Sequence, residues 1–349
     1  MWTMLTMLMT TSILLHGGNP ESAAATPAAS DAWLQYSGDA AIEPGRGRRI
    51  VLIAGDEEYR SEEALPMLAR MLSTHGFEAI VLLSQNPETG EIDPDERSNI
   101  PGMHLVDKAD LVILQLRFRG LPDADMKHLA DYVASGKPLT GIRTSTHAFA
   151  YPDDSESTYA DWSWNRDGGF GRSVLGETWV AHHGHHGTEA TRGVIETSNA
   201  DHPVLRGVDD VFGPTDVYAV RDLPSDSTIL LRGAILEGMS PDDKPVTDQR
   251  NAPMHPIAWL RERPMPGGGT QKIFVTTMGT SQDWSSADLR RLLANAVLWQ
   301  LGEADTIPPK GLSAPIIGHW RPTPFGFGKS TKGHTIKSIQ QGHPPKPAP

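Results

Sequence analysis

From Arg49 onward, short apolar runs alternate with amphipathic stretches. RIVLIAG (49–55) is almost entirely apolar, ends on a glycine, and predicts a buried strand. Ser61 to His75 then places Leu65, Leu68, Met71 and Leu72 on one helical face. Ser61 is its expected N-cap, Glu62 and Glu63 suit the helix dipole, and Gly76 is the stop. FEAIVLLS (77–84) and DLVILQLRF (110–118) read as the second and third strands, with a long polar loop, 85–104, between them. Pro122 opens a helix running to about Ser135, and PLTGI (138–142) is the fourth strand. Apolar strands alternating with amphipathic helices predict an α/β fold: a doubly wound, mainly parallel sheet with helices on both faces.

Past residue 151 the pattern changes. Residues 152–168 form a polar excursion whose Trp162 and Trp164 either wall a sugar-sized pocket or fasten the loop to the body. Gly169 to Val180 has helical character. The chain then turns strand-rich, with GVIETS, DVYAV, STILLRG, PIAWLRE and QKIFVTTMG, before a last helix from Ser285 to Leu301. The ends differ from the body. Residues 1–25 carry an apolar run followed by small residues, Ser22 to Ala25, which predicts a signal peptide and export to the periplasm or cell envelope, a non-cleaved anchor being the alternative. Residues 26–47 read as a polar linker. Residues 303–349 read as a disordered tail, basic because no acid follows Asp305, and rich in proline and glycine.

Composition narrows the function. With 38% hydrophobic residues the chain can build a core, and a net charge of −12 argues against a nucleic-acid surface. There is no cysteine, which excludes disulfides, thiolate metal sites and a cysteine nucleophile.

Right-handed crossovers put the C-terminal ends of the early strands on one rim, where open α/β sheets bind ligands. That rim collects Asp56 to Arg60, then Arg117 and Arg119, then Arg143 to His147. Arg143, with Arg117 or Arg119, is expected to bind a carboxylate or polarise a keto or hydroxyl oxygen, with Tyr59, Thr144 and Trp179 as further substrate contacts. His147 is a candidate general base, and Glu58 and Asp216 are candidate acids. His182, His183, His185 and His186 are candidate ligands for a divalent metal, zinc first. In an extended segment His183 and His185 share one face, His182 and His186 the other. The bland alternative is that they bond backbone carbonyls at a helix exit. No nucleotide cofactor is expected.

The segments LIAGDEEYRSEEALPML, LRFRGLP, YVASGKPLTGIRTSTHAF, GGFGRSVLGETWVAHHGHHG, GPTDVYAV, PIAWLRE and FVTTMGTSQDW, in this order, resemble the trehalose-utilisation (ThuA-like) domain over residues 48–302, in the version found in secreted proteins of planctomycete-type bacteria. The resemblance implies a flavodoxin-like fold related to class I glutamine amidotransferases and a link to sugar metabolism. Amidotransferases place a cysteine after the strand corresponding to PLTGI. Arg143 stands there, so glutamine amidotransferase chemistry is excluded. The histidine that many relatives carry in a GTTxGH-like segment is also missing, since Met278, Gly279 and Thr280 follow instead. The reading is an exported protein acting on a sugar or oxidised sugar derivative, with metal assistance, whose partner is a small-molecule saccharide. The rival is a non-catalytic carbohydrate- or partner-binding module on the same fold. Envelope association through the N-terminal segment or basic tail, and self-association as a homo-oligomer, are further expectations.

Overall fold

The computed structural model describes residues 30–340, so the leader expected at 1–25 and the end of the tail, 341–349, lie outside the described residues. The strands are β1 (Leu34–Tyr36), β2 (Arg49–Gly55), β3 (Glu78–Leu83), β4 (Leu111–Leu116), β5 (Leu139–Ile142), β6 (Thr191–Ile195), β7 (Val211–Gly213), β8 (Ser227–Ile235), β9 (His255–Pro264) and β10 (Thr270–Thr276). The α-helices are α1 (Ser61–Ser73), α2 (Asp123–Ala134), α3 (Ala287–Gln300) and the short α4 (Ile336–Gln340). Among the described residues the strands form one sheet in the order β1-β3-β2-β4-β5-β10-β9-β8-β6-β7.

Strand alternation divides the core between two layers. Ile50, Leu52 and Ala54 of β2 pack with α1 and α3, whereas Val51 and Ile53 face the layer that contains α2. Strands covered on both faces read as continuous apolar runs, which is why RIVLIA and LVIL carry no polar alternation.

The sheet is mixed, which corrects the expectation of a mainly parallel one. β3, β2, β4, β5 and β10 run parallel, but β1 is antiparallel to β3, and β9, β8, β6 and β7 continue from β10 by antiparallel pairing. The loop between β9 and β10 covers only residues 265–269, too short for the crossover a parallel pair requires.

Other expectations also change. The segment expected to be a linker contributes β1, whose Leu34 and Tyr36 are buried. The expected disordered tail lies against the body through residue 340, because Ile307, Ala314, Ile317 and Ile336 anchor it between its prolines. Gln340 Nε2 donates to Ser30 O at 2.8 Å, bringing the two described ends together. The N-cap of α1 is Arg60, in a left-handed conformation, and Ser61 is the first helical residue. The helical character expected over 169–180 reduces to one π turn, Gly171–Leu175. Among the described residues no helix is long and apolar enough to cross a membrane.

Candidate functional site

The residues that follow β2, β4 and β5 meet. Thr144 Oγ1 donates to Asp56 Oδ2 (2.5 Å), Arg117 Nη1 to Glu57 Oε1 (2.5 Å), and Phe118 N to His147 O (3.0 Å). Among the described residues, the non-glycine residues with positive φ are Arg60 (61°), Phe118 (52°) and Arg143 (40°), one after each of these strands. Such conformations are costly for bulky side chains and cluster at functional sites.

Two of the expected substrate-binding arginines are turned inward, which corrects their assignment. Arg119 has no exposed surface: Nη2 pairs with Glu57 Oε2 at 2.6 Å, while Nη1 and Nε donate to the carbonyls of Pro94, Glu96 and Arg117. Arg143 is equally buried, its guanidinium between the rings of Tyr59 (4.1 Å) and Tyr218 (4.2 Å). It donates to Thr277 O (2.6 Å) and to Asp216 Oδ1 (3.1 Å), so it supports Asp216 rather than reaching a substrate. Arg117 remains partly exposed between Glu57 and Glu58.

Asp216 is the centre of the site. Its Oδ2 lies 2.7 Å from His182 Nδ1 and its Oδ1 lies 2.9 Å from His186 Nδ1. Burial alone would raise its pKa, but hydrogen bonds from the two imidazoles, with the Arg143 charge, hold it well below the usual carboxylate range. An ionised carboxylate only accepts, so both Nδ1 atoms carry hydrogen and each neutral ring keeps its lone pair on Nε2. His186 Nε2 lies 3.3 Å from Glu58 Oε1. Burial raises the Glu58 pKa, against the lowering charge of Arg117, so Glu58 can hold a proton in this pair.

The histidine run splits. His182 and His186 form the site, whereas His183 Nε2 meets Arg250 O at 2.8 Å with its ring against His255, and the backbone of His185 donates to Glu189 Oε2. The metal assignment of His183 and His185 is therefore corrected: they follow the bland alternative. His182, His186 and Asp216 offer ligand atoms within 4.8 Å of one another, and two imidazoles plus an ionised carboxylate form a common donor set for zinc and similar ions. His147 lies beside them but is almost fully buried. Burial, and the charges of Arg117, Arg143 and His182, push its pKa well below the ordinary value, so it stays neutral and is a weak base.

Aromatic rings surround the polar cluster. Trp179 packs against His182 (5.8 Å) and His147 (5.7 Å), and Trp164 against Trp179 (5.9 Å) and Phe118 (5.7 Å). Trp162 instead stacks on buried Phe170 and fastens the loop. Tyr59 is buried, with its hydroxyl 3.3 Å from that of Tyr218; both phenols stay protonated because burial raises their pKa. Thr144 is likewise fully buried, so neither it nor Tyr59 presents surface to a substrate. Sequence reasoning missed Tyr218, Phe325 and Phe327. Tyr218 carried a signal, since it stands two residues from Asp216 and shares its face if the segment is extended. The two phenylalanines, in a segment read as tail, carried none.

The family described as trehalose utilisation (ThuA) matches residues 49–300. A ThuA-like protein of Bacteroides uniformis is 14% identical, with a TM-score of 0.44 over 77% of this chain and 96% of that one. A second, from Parabacteroides merdae, is 13% identical, with a TM-score of 0.47 over 78% and 97%. No curated protein matches the chain. The match across most of its length places this chain in the ThuA family.

Proposed function

We propose that this protein is an exported, sugar-modifying enzyme of carbohydrate utilisation that acts on a sugar or oxidised sugar derivative. The observation that carries the reading is the single buried carboxylate, Asp216, shared by His182 and His186. Its hydrogen bonds fix both rings and make each Nε2 a better base. His182 and His186 keep about a third of their side-chain surface exposed, so a substrate can reach them. His186 accepts a proton from a sugar hydroxyl, and Glu58 returns one. With the two Nδ1 hydrogens displaced, His182, His186 and Asp216 would hold a divalent ion, which as a Lewis acid would supply polarisation of neighbouring sugar oxygens. The strand order β3-β2-β4-β5-β10 supports a flavodoxin-like core for the parallel half, with the site at its strand ends. Export rests on the apolar N-terminal run and the small residues after it.

The test is turnover of mono- and disaccharides and their keto derivatives by the full chain, with elemental analysis of the same preparation. Loss of turnover in His186→Ala and Asp216→Asn is expected. Unchanged turnover in both would refute the assignment, and saturable saccharide binding without turnover would transfer the protein to the binding-module reading.

A further inference from the structure

The segment that closes the site lies outside the family match, which ends at residue 300. Beyond α3 the chain returns over the N-terminus of α1. Trp320 Nε1 donates to Glu63 O (3.1 Å), and Thr323 donates through N and Oγ1 to the Glu63 carboxylate (2.8 and 2.5 Å). Gly326 is then held on both sides: its N–H donates to Glu58 O (2.8 Å) and its carbonyl accepts from Arg60 Nη2 (2.7 Å). Its φ of +128° suits glycine and sets the direction of the chain there.

These bonds aim two phenylalanines at the polar cluster. Phe325 stacks on Tyr59 (5.7 Å) and meets His186 (5.2 Å). Phe327 lies over the Arg117 guanidinium at 4.9 Å, and Arg117 in turn pairs with Glu58, the neighbour of His186. Phe327 is 59% exposed, the most of any large hydrophobic side chain among the described residues. Its backbone neighbour is fixed by two hydrogen bonds, so the ring is displayed rather than merely uncovered. Phe118 covers the same guanidinium at 4.5 Å, and from it the aromatic contacts run through Trp164 and Trp179 to His182. The C-terminal segment thus supplies the remaining arc of an aromatic rim whose floor holds the histidines.

We propose that Phe327 is the platform for the outer ring of a disaccharide or other glycoside, so the segment 320–328 sets a preference for glycosides over free monosaccharides. An exposed aromatic face beside a polar site suits the apolar face of a pyranose, while the ring bound over the histidines uses the polar groups. This inference rests on the sugar-acting reading of the same site.

The experiment is calorimetric titration of the full chain and of Phe327→Ala with glucose, trehalose and cellobiose, beside Asp216→Asn as a control for the floor of the site. Wild type is expected to bind at least one disaccharide more tightly than glucose. Phe327→Ala should weaken that disaccharide roughly three- to tenfold, leave glucose unchanged, and keep its melting temperature, because the ring is exposed. Phe327→Trp should retain the preference. Equal affinities for all three sugars, or a disaccharide affinity untouched by Phe327→Ala, overturns the platform while Asp216→Asn still reports on the site. No binding of any of the three sugars, or of their keto derivatives titrated beside them, overturns it together with the reading on which it rests.

Discussion

Two buried carboxylates, Glu57 and Asp216, are joined through Arg117, Glu58 and His186 and have opposite characters. Glu57 is held by Arg117 and Arg119, with Arg97 at its edge. Asp216 is held by one arginine and two histidines. Arginine does not release a proton at any working pH, so the Glu57 cluster fixes the ends of β2 and β4 without itself exchanging protons. An imidazole has a second ring nitrogen that can hold a proton or a metal ion, so the Asp216 cluster has exchangeable partners where the Glu57 cluster has none. The lesson is that burial and charge do not by themselves mark the reactive carboxylate. The exchangeability of its partners does.

The sharpest way to break that comparison is to neutralise each acid without changing its shape. Asp216→Asn is expected to cut turnover by about 10²–10⁴-fold, since the rings lose their orienting charge. Glu57→Gln should leave turnover per folded molecule nearly unchanged and destabilise the protein by about 3–5 kcal/mol, because Arg119 loses its buried counter-charge. Parallel activity assays and urea melts check both, and a Glu57→Gln variant that folds normally but is inactive would contradict the division.

Metal content gives the next contrast. Any stoichiometric zinc, manganese or iron found by elemental analysis should be lost in a His182→Ala, His186→Ala double variant and kept in a His183→Ala, His185→Ala one. The reverse result would restore the pair rejected here.

A third carboxylate extends the series to an acid with no paired cation. Glu62, in the first turn of α1, has both oxygens without a protein partner, and burial pushes its pKa up to about 8. A raised carboxylate pKa gives stability that is complete below the unfolded value of 4.5 and is lost as pH rises through about 8. The melting temperature should therefore fall across that window in the wild type and change less in Glu62→Gln, which should be the more stable protein above about pH 8. The smallest effect is expected for His183→Ala alone: it loses one bond to Arg250 O, worth about 1 kcal/mol, and leaves turnover within about twofold.

Much of this arrangement was legible in the chain. β2 runs from Arg49 to Gly55, as its apolar run required, and Arg143 to His147 do arrive beside Asp56 to Arg60. The sequence grouped His182 with His186 on the assumption of an extended segment; the segment bends at 183–184 and turns at 186–188, and the two rings meet there all the same. Choosing which pair faces Asp216 did not follow, because that depends on a contact across 30 or more residues. Likewise, composition presents Arg143 as an open cation, but only the approach of Tyr59 and Tyr218 reveals that it is enclosed. β1 and the segment around Phe327 were illegible for a different reason: their anchors are isolated apolar residues without periodicity.

The hydrogen bond between Gln340 and Ser30 gives the described chain a nearly circular path. Replacing the residues before Ser30 and after Gln340 by one short linker between these two positions, with new ends opened at the exposed Gly267–Gly269 turn between β9 and β10, should thread every strand through the same sheet in a different order of synthesis. It would also move Phe327 from the last part of the site to be made to an earlier one, leaving the geometry of the rim unchanged.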